Sequence, residues 1–100
     1  MKILVARTDR LGDLVLSLPV FAVGRAARPD WQFHALVSPA CAPLVENDPA
    51  VAAVWTWSEA GGPLADAELV ERLRAEHFDA AVLLHFRAPL ARLLARAGIR

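Results

Sequence analysis

Lys2-Ile3-Leu4-Val5-Ala6, then Arg7-Thr8-Asp9-Arg10-Leu11-Gly12-Asp13, then Leu14-Val15-Leu16-Ser17-Leu18 reads as a buried strand, a charged turn and the start of an apolar helix. Two carboxylates and two guanidiniums are thereby set at the carboxyl end of a strand, which is where ligands bind in open α/β sheets. Gly12 lets the backbone turn tightly or approach a ligand. Asp13 falls at the positive end of the helix dipole, which favours its ionised form. A polar site is thus expected on an otherwise greasy chain.

The rest of the sequence repeats the alternation. The first strand covers about residues 2–6 and the first helix about residues 12–27, stopping before Pro29-Asp30. A second strand is expected over 31–37, a short helix over 39–46 and, after the turn residues Asn47-Asp48-Pro49, a third strand over 51–57. Gly61-Gly62-Pro63 breaks the chain, and Asp66 is placed to cap a third helix running to about residue 77. That helix should turn Leu69, Val70 and Leu73 inward and pair Glu68 with Arg72 outward. A fourth strand over 79–85 has a continuous apolar centre, which predicts burial on both faces. A fourth helix over 87–97 ends at Gly98.

Four strand–helix alternations define an α/β fold, a Rossmann-like parallel sheet with helices on both faces. Right-handed crossovers with strand one central predict the order 3-2-1-4. The loops that flank the switch point are then residues 7–12 and 85–88, which brings Asp13, Arg10 and His85 toward one crevice. The pattern closes on a finished βα unit, so the 100 residues are expected to be an incomplete domain. Pro19 inside the first helix costs roughly 3 kcal/mol in an ordinary interior, so the helix either kinks there or starts later, and the uniformly apolar flanks favour the kink; Gly24 weakens the same helix by about 1 kcal/mol.

Composition narrows the function. The chain is 56% hydrophobic and 22% charged with a formal net charge of zero, which suits a packed core and argues against a nucleic-acid partner. One cysteine, Cys41, permits no internal disulfide, which fits a cytoplasmic setting. No apolar run is long enough to span a membrane, and the first residues are not a signal peptide. No cluster of His, Cys, Asp and Glu has metal-ligand spacing, so no metal is expected. The first loop has one glycine, neither G-x-G-x-x-G nor a P-loop, so neither a dinucleotide nor an NTP is expected there. Ser17 and Ser38 lack a nearby base. The tryptophans Trp31, Trp55 and Trp57 are expected in packing roles, and His34 and His77 in structural or solvent-facing ones.

Asp9-Arg10-Leu11-Gly12-Asp13, followed by Leu18-Pro19, resembles the D-x-x-G-D-x(5)-P opening of the ADP-heptose:lipopolysaccharide heptosyltransferases, glycosyltransferase family 9. The likeness continues through Arg28-Pro29-Asp30, Leu36-Val37, Ala42-Pro43-Leu44-Val45-Glu46 and Leu94-Ala95-Arg96-Ala97-Gly98-Ile99, essentially the whole chain. It implies a GT-B enzyme of two Rossmann-like domains facing across a cleft, with these residues in the N-terminal, acceptor-side domain and the C-terminal donor-binding domain absent. It implies that Asp13 is the catalytic base, deprotonating an acceptor sugar hydroxyl during inverting transfer. The loop residues themselves add candidate substrate-binding groups: Arg7 and Arg10 could hold a phosphate or sugar hydroxyl or merely offset Asp9 and Asp13, Gly12 lets the backbone approach a ligand, and His85 could hydrogen-bond a ligand or be a satisfied structural histidine. No metal or cofactor is implied; the donor is a nucleotide sugar such as ADP-heptose, and the acceptor is a glycolipid of the lipopolysaccharide core or a related envelope lipid. That implies work in the cytoplasm at the inner face of the membrane, through peripheral contact only. Some relatives carry basic residues after strand three for acceptor phosphates, whereas Ser58-Glu59-Ala60-Gly61-Gly62-Pro63 carries no positive charge here.

Half a cleft should have no transferase activity alone, and an uncovered sheet edge should favour self-association. The alternative reading is a small non-enzymatic α/β module that binds a ligand or protein through the same crevice. A flavodoxin-like or receiver domain fits less well, because Lys2 is the only lysine and a receiver needs one late in the chain.

Overall fold

A computed structural model of the chain describes residues 1–8, 19–58, 61–84 and 87–99. The elements are β1 (Lys2–Arg7), α1 (Pro19–Ala27), β2 (Gln32–Val37), a 3-10 turn (Pro39–Cys41) running into the short α2 (Ala42–Val45), β3 (Val54–Thr56), α3 (Gly62–Glu76), β4 (Ala80–Leu83) and α4 (Ala88–Arg96). All strand pairs are parallel, and the order is β3-β2-β1-β4, as the alternation predicts.

Alternate residues of the two central strands feed two separate cores. Leu4, Ala6 and Leu36 pack under Val70 and Leu73 of α3 and Leu90, Leu93 and Leu94 of α4. Ile3, Val5, Phe33, Ala35 and Val37 pack under Phe21 of α1 and Cys41, Ala42 and Val45 of the segment after β2. With both faces covered, β1 and β2 have no room for an outward polar row, which is why they read as continuous apolar runs.

Gly24 is explained by this packing. A Cβ there would lie 2.8 Å from Cζ of Phe33, so the glycine lets α1 settle onto β2. At the far end of the chain Gly98 adopts φ +80, and the Ile99 amide bonds to the Leu94 carbonyl at 3.1 Å, closing α4 as a Schellman turn.

Several expectations need correction. β4 is not buried on both faces: Val82 is 45% exposed. The reason is position, since β4 is the edge of the described sheet and α1 packs on β2 and α2 on β3, leaving that face of β4 open. Asp66 does not cap α3. The helix starts at Gly62 with Pro63 in its first turn, and the Asp66 carboxylate one turn further accepts a hydrogen bond from Trp57 Nε1 at 3.2 Å. Arg72 lies over the Trp55 ring, 5.8 Å from its centroid, rather than against Glu68. Regular strand geometry in β3 covers only Val54–Thr56. An Asx turn at Asp48 (Ala50 N–H to Asp48 Oδ1, 2.9 Å) delays it, although Ala52 and Ala53 already bond to β2. Residues 12–18 of the expected first helix, and with them the kink expected at Pro19, lie outside the described residues.

Candidate functional site at the carboxyl edge of the sheet

The carboxyl ends of β1 and β4 are neighbours, and the ladder joining them runs on past the strand, with the Leu84 amide bonding to the Ala6 carbonyl at 2.9 Å. Arg7, the last residue of β1, is half-buried and donates from Nη1 to the Leu84 carbonyl at 3.2 Å. It therefore ties together the two strand ends from which the two expected site loops leave. Next to it Thr8 buries its hydroxyl oxygen without a hydrogen-bond partner among the described residues. Arg87 has extended backbone before the first turn of α4.

Of the expected site residues, Arg7 is thus placed at the β1–β4 junction. Arg10, Gly12, Asp13 and His85, together with Asp9, lie outside the described residues. What is described is their frame: β1 up to Thr8, α1 from Pro19, β4 to Leu84 and α4 from Ala88.

Further along the same edge, beyond β3, a cavity of about 170 Å³ is lined by Pro39, Thr56, Trp57, Ser58, Gly61 and Asp66. The Trp57–Asp66 hydrogen bond fixes its wall. Its described lining includes one carboxylate and no cation.

Two larger depressions, of about 240 and 500 Å³, lie at the amino ends of the strands, away from this edge. The wider one is lined by a charge lock. Lys2 Nζ meets Glu76 Oε2 at 2.7 Å and donates to the Glu76 carbonyl at 2.9 Å, while the Lys2 amide bonds to Asp79 Oδ2 at 2.7 Å. The ammonium hydrogen bond holds the Glu76 carboxyl below the ordinary glutamate range. These charges pin β1 to the end of α3 and the entry to β4, which is a structural role.

Residue-by-residue reading missed one cluster. His34 is buried, accepts a hydrogen bond at Nδ1 from Trp55 Nε1 at 3.1 Å, and meets the Phe78 ring edge-on at 4.9 Å between centroids. The three rings come from β2, β3 and the residue after α3, so no local spacing signals the cluster. Burial lowers its pKa, an effect that Glu76 opposes and Lys2 reinforces. Among the described residues no group of three or more His, Cys, Asp or Glu is placed to hold a metal ion. None of the described helices is long and apolar enough to cross a membrane.

Fold and edge define a doubly wound α/β unit that presents polar groups at the switch point of its sheet. No family model matches the chain. Over 99 residues it is 31% identical to a Haemophilus influenzae protein named "Putative glycosyltransferase", covering 99% of this chain and 29% of that protein. The structure of a glycosyl transferase family 9 protein from Veillonella parvula matches with a TM-score of 0.85 at 20% identity, over 95% of this chain and 29% of that one. The ADP-heptose LPS heptosyltransferase II of E. coli matches with a TM-score of 0.80 at 25% identity, over 99% of this chain and 29% of the other. The chain therefore resembles the N-terminal part of family 9 glycosyltransferases, heptosyltransferases among them, as its opening motif implies. It spans about three-tenths of the length of these relatives.

Proposed function

We propose that these residues form the opening part of the N-terminal, acceptor-side domain of an inverting GT-B glycosyltransferase. It transfers a heptose-type sugar from a nucleotide-sugar donor to a glycolipid of the lipopolysaccharide core or a related envelope lipid. The observation that carries the reading is the junction of β1 and β4. In the sequence the D-x-x-G-D motif of residues 9–13 follows Thr8 directly, and the described chain up to Thr8 ends at the switch point of a sheet whose fold a family 9 glycosyltransferase structure shares. E. coli heptosyltransferase II bears both the donor and the acceptor class in its name.

In this reading Asp13 is the general base. Its carboxylate takes the proton of an acceptor hydroxyl as that oxygen attacks the anomeric carbon of the donor. The bond from that carbon to the nucleoside diphosphate breaks, the diphosphate leaves with the electron pair, and the configuration inverts. The sequence expectation that Asp13 opens a helix suits the role, because a helix dipole favours the ionised form that a base needs. Arg7, Arg10, Gly12 and His85 bind substrate around it. No cofactor takes part, and ADP-heptose serves as co-substrate.

The donor half of the cleft belongs to a C-terminal domain outside these 100 residues, so the chain alone is inactive. The position of β4 at the edge of the described sheet suits the same view, since a right-handed crossover through α4 lays a further parallel strand against that edge. The full enzyme works in the cytoplasm at the inner membrane face, touching the lipid surface without crossing it.

The test is sugar transfer by a chain extended to the length of the relatives, with ADP-heptose and a deacylated or intact core glycolipid. Asp13→Asn should lower kcat by about 10²–10⁴-fold, the range for losing a general base. Near-wild-type turnover in that variant would remove Asp13 from the mechanism.

A further inference from the structure

The short strand β3 sits at the edge of the described sheet, and its three residues are backed by one large side chain on the α3 face, Trp55. Trp55 is paired in register with Leu36, which places its indole diagonally beside His34 two residues earlier in β2. The rings lie 26° from parallel with centroids 6.3 Å apart, and the indole N–H donates to His34 Nδ1 at 3.1 Å. Phe78 closes the site edge-on to both rings, and the Arg72 guanidinium lies over the indole.

This geometry fixes the state of His34. Nδ1 can accept only through its lone pair, so the ring is neutral and its proton is on Nε2. Nε2 is buried and has no hydrogen-bond partner among the described residues. Protonation would put a second N–H at Nδ1, aimed at the indole N–H, and a charge between two aromatic rings. Donor would face donor, and the contact would open.

We propose that the His34–Trp55 hydrogen bond is an acid-released latch. When His34 takes a proton, β3 loosens from β2 while β1, β2 and β4 stay paired, and the Trp57 indole at the cavity wall stays bonded to Asp66. Burial of the ring is what opposes a cation there. Of the charged groups, Glu76 of α3 favours the cation and Lys2 of β1 opposes it more weakly, the two being bonded to each other, while Arg72 of α3 lies over the indole and His77 is exposed. β3 contributes no titratable side chain. The latch is independent of what the carboxyl edge binds.

Hydrogen exchange of the chain near pH 7.5 and near pH 5.5, corrected for intrinsic rates, tests this, with one-proton linkage allowing up to about tenfold per pH unit. Peptides covering residues 52–57 should lose protection on acidification while those covering residues 2–7 keep theirs, and His34→Gln should abolish the difference. Equal loss in both segments, or an unchanged acid response in His34→Gln, would overturn the latch. Nitrogen-15 NMR of the wild-type chain provides a readout that needs no variant. The Trp55 indole N–H should shift with the midpoint of the His34 imidazole titration, and an indole signal indifferent to that titration overturns the proposal equally.

Discussion

Arg7 and Leu84 are far apart in sequence and joined in space: the guanidinium at the end of β1 holds the carbonyl at the end of β4 at 3.2 Å. The pair sets the spacing between the two loops that the proposed site needs. Arg7→Met should therefore cost about 1 kcal/mol of stability, a charged hydrogen bond discounted for its half-exposed setting. Urea unfolding of the chain measures it. In a chain of the relatives' length the same change should lower kcat/KM, with Arg7→Lys falling between, because a lysine offers one point donor where arginine offers a fork.

Gly24 faces the Phe33 ring with no space for a methyl group. Gly24→Ala gains helix propensity but forces the ring or the helix to move, and should destabilise the chain by about 1 kcal/mol net. Combining it with Phe33→Leu should cost less than the sum of the two single changes, since the smaller side chain removes the clash. A double-mutant cycle in urea reads the coupling directly.

Leu73 is fully buried between α3 and the sheet. Leu73→Ala should cost about 2–5 kcal/mol, the range for a leucine cavity in a packed core. In a sheet this small that loss should appear as a large drop in the urea midpoint, and a midpoint shift of a few tenths of that size would contradict the core described above.

Glu76 titrates below the ordinary glutamate range because Lys2 bonds to its carboxylate. A depressed folded-state pKa contributes stability that is present above the unfolded value and is lost as pH falls through the folded one. Lys2→Met should return the Glu76 midpoint toward the ordinary range, followed by carbon-13 NMR of the side-chain carboxyl. For His34 the shift is also downward, so stability falls as pH drops below the unfolded histidine value of about 6.5.

Much of this fold was legible in the chain because its signals are local. Gly98 ends α4, Pro39 opens the turn after β2, and the alternation of apolar runs with turn residues gives the order 3-2-1-4 through the crossover rule alone. Asp66 and Val82 were misjudged for a different reason. An aspartate before an apolar helical stretch looks like a cap until a neighbouring Trp57 claims it, and an apolar strand looks buried until its place at the sheet edge is known. Of the candidate site, Arg7 is fixed at the strand junction, and the motif residues 9–13 depend on the resemblance they carry. The His34 cluster had no signature, since β2, β3 and the residue after α3 each supply one ring.

The last turn of α3 leaves a resource unused. Its closing residue is His77, held in the left-handed region at φ 56, where a Cβ is unfavourable by about 1 kcal/mol and glycine is at ease. His77 is exposed and far from the carboxyl edge. Replacing it with glycine therefore offers a thermally hardier version of the chain with its working surface untouched, a starting background on which costlier substitutions could be tolerated.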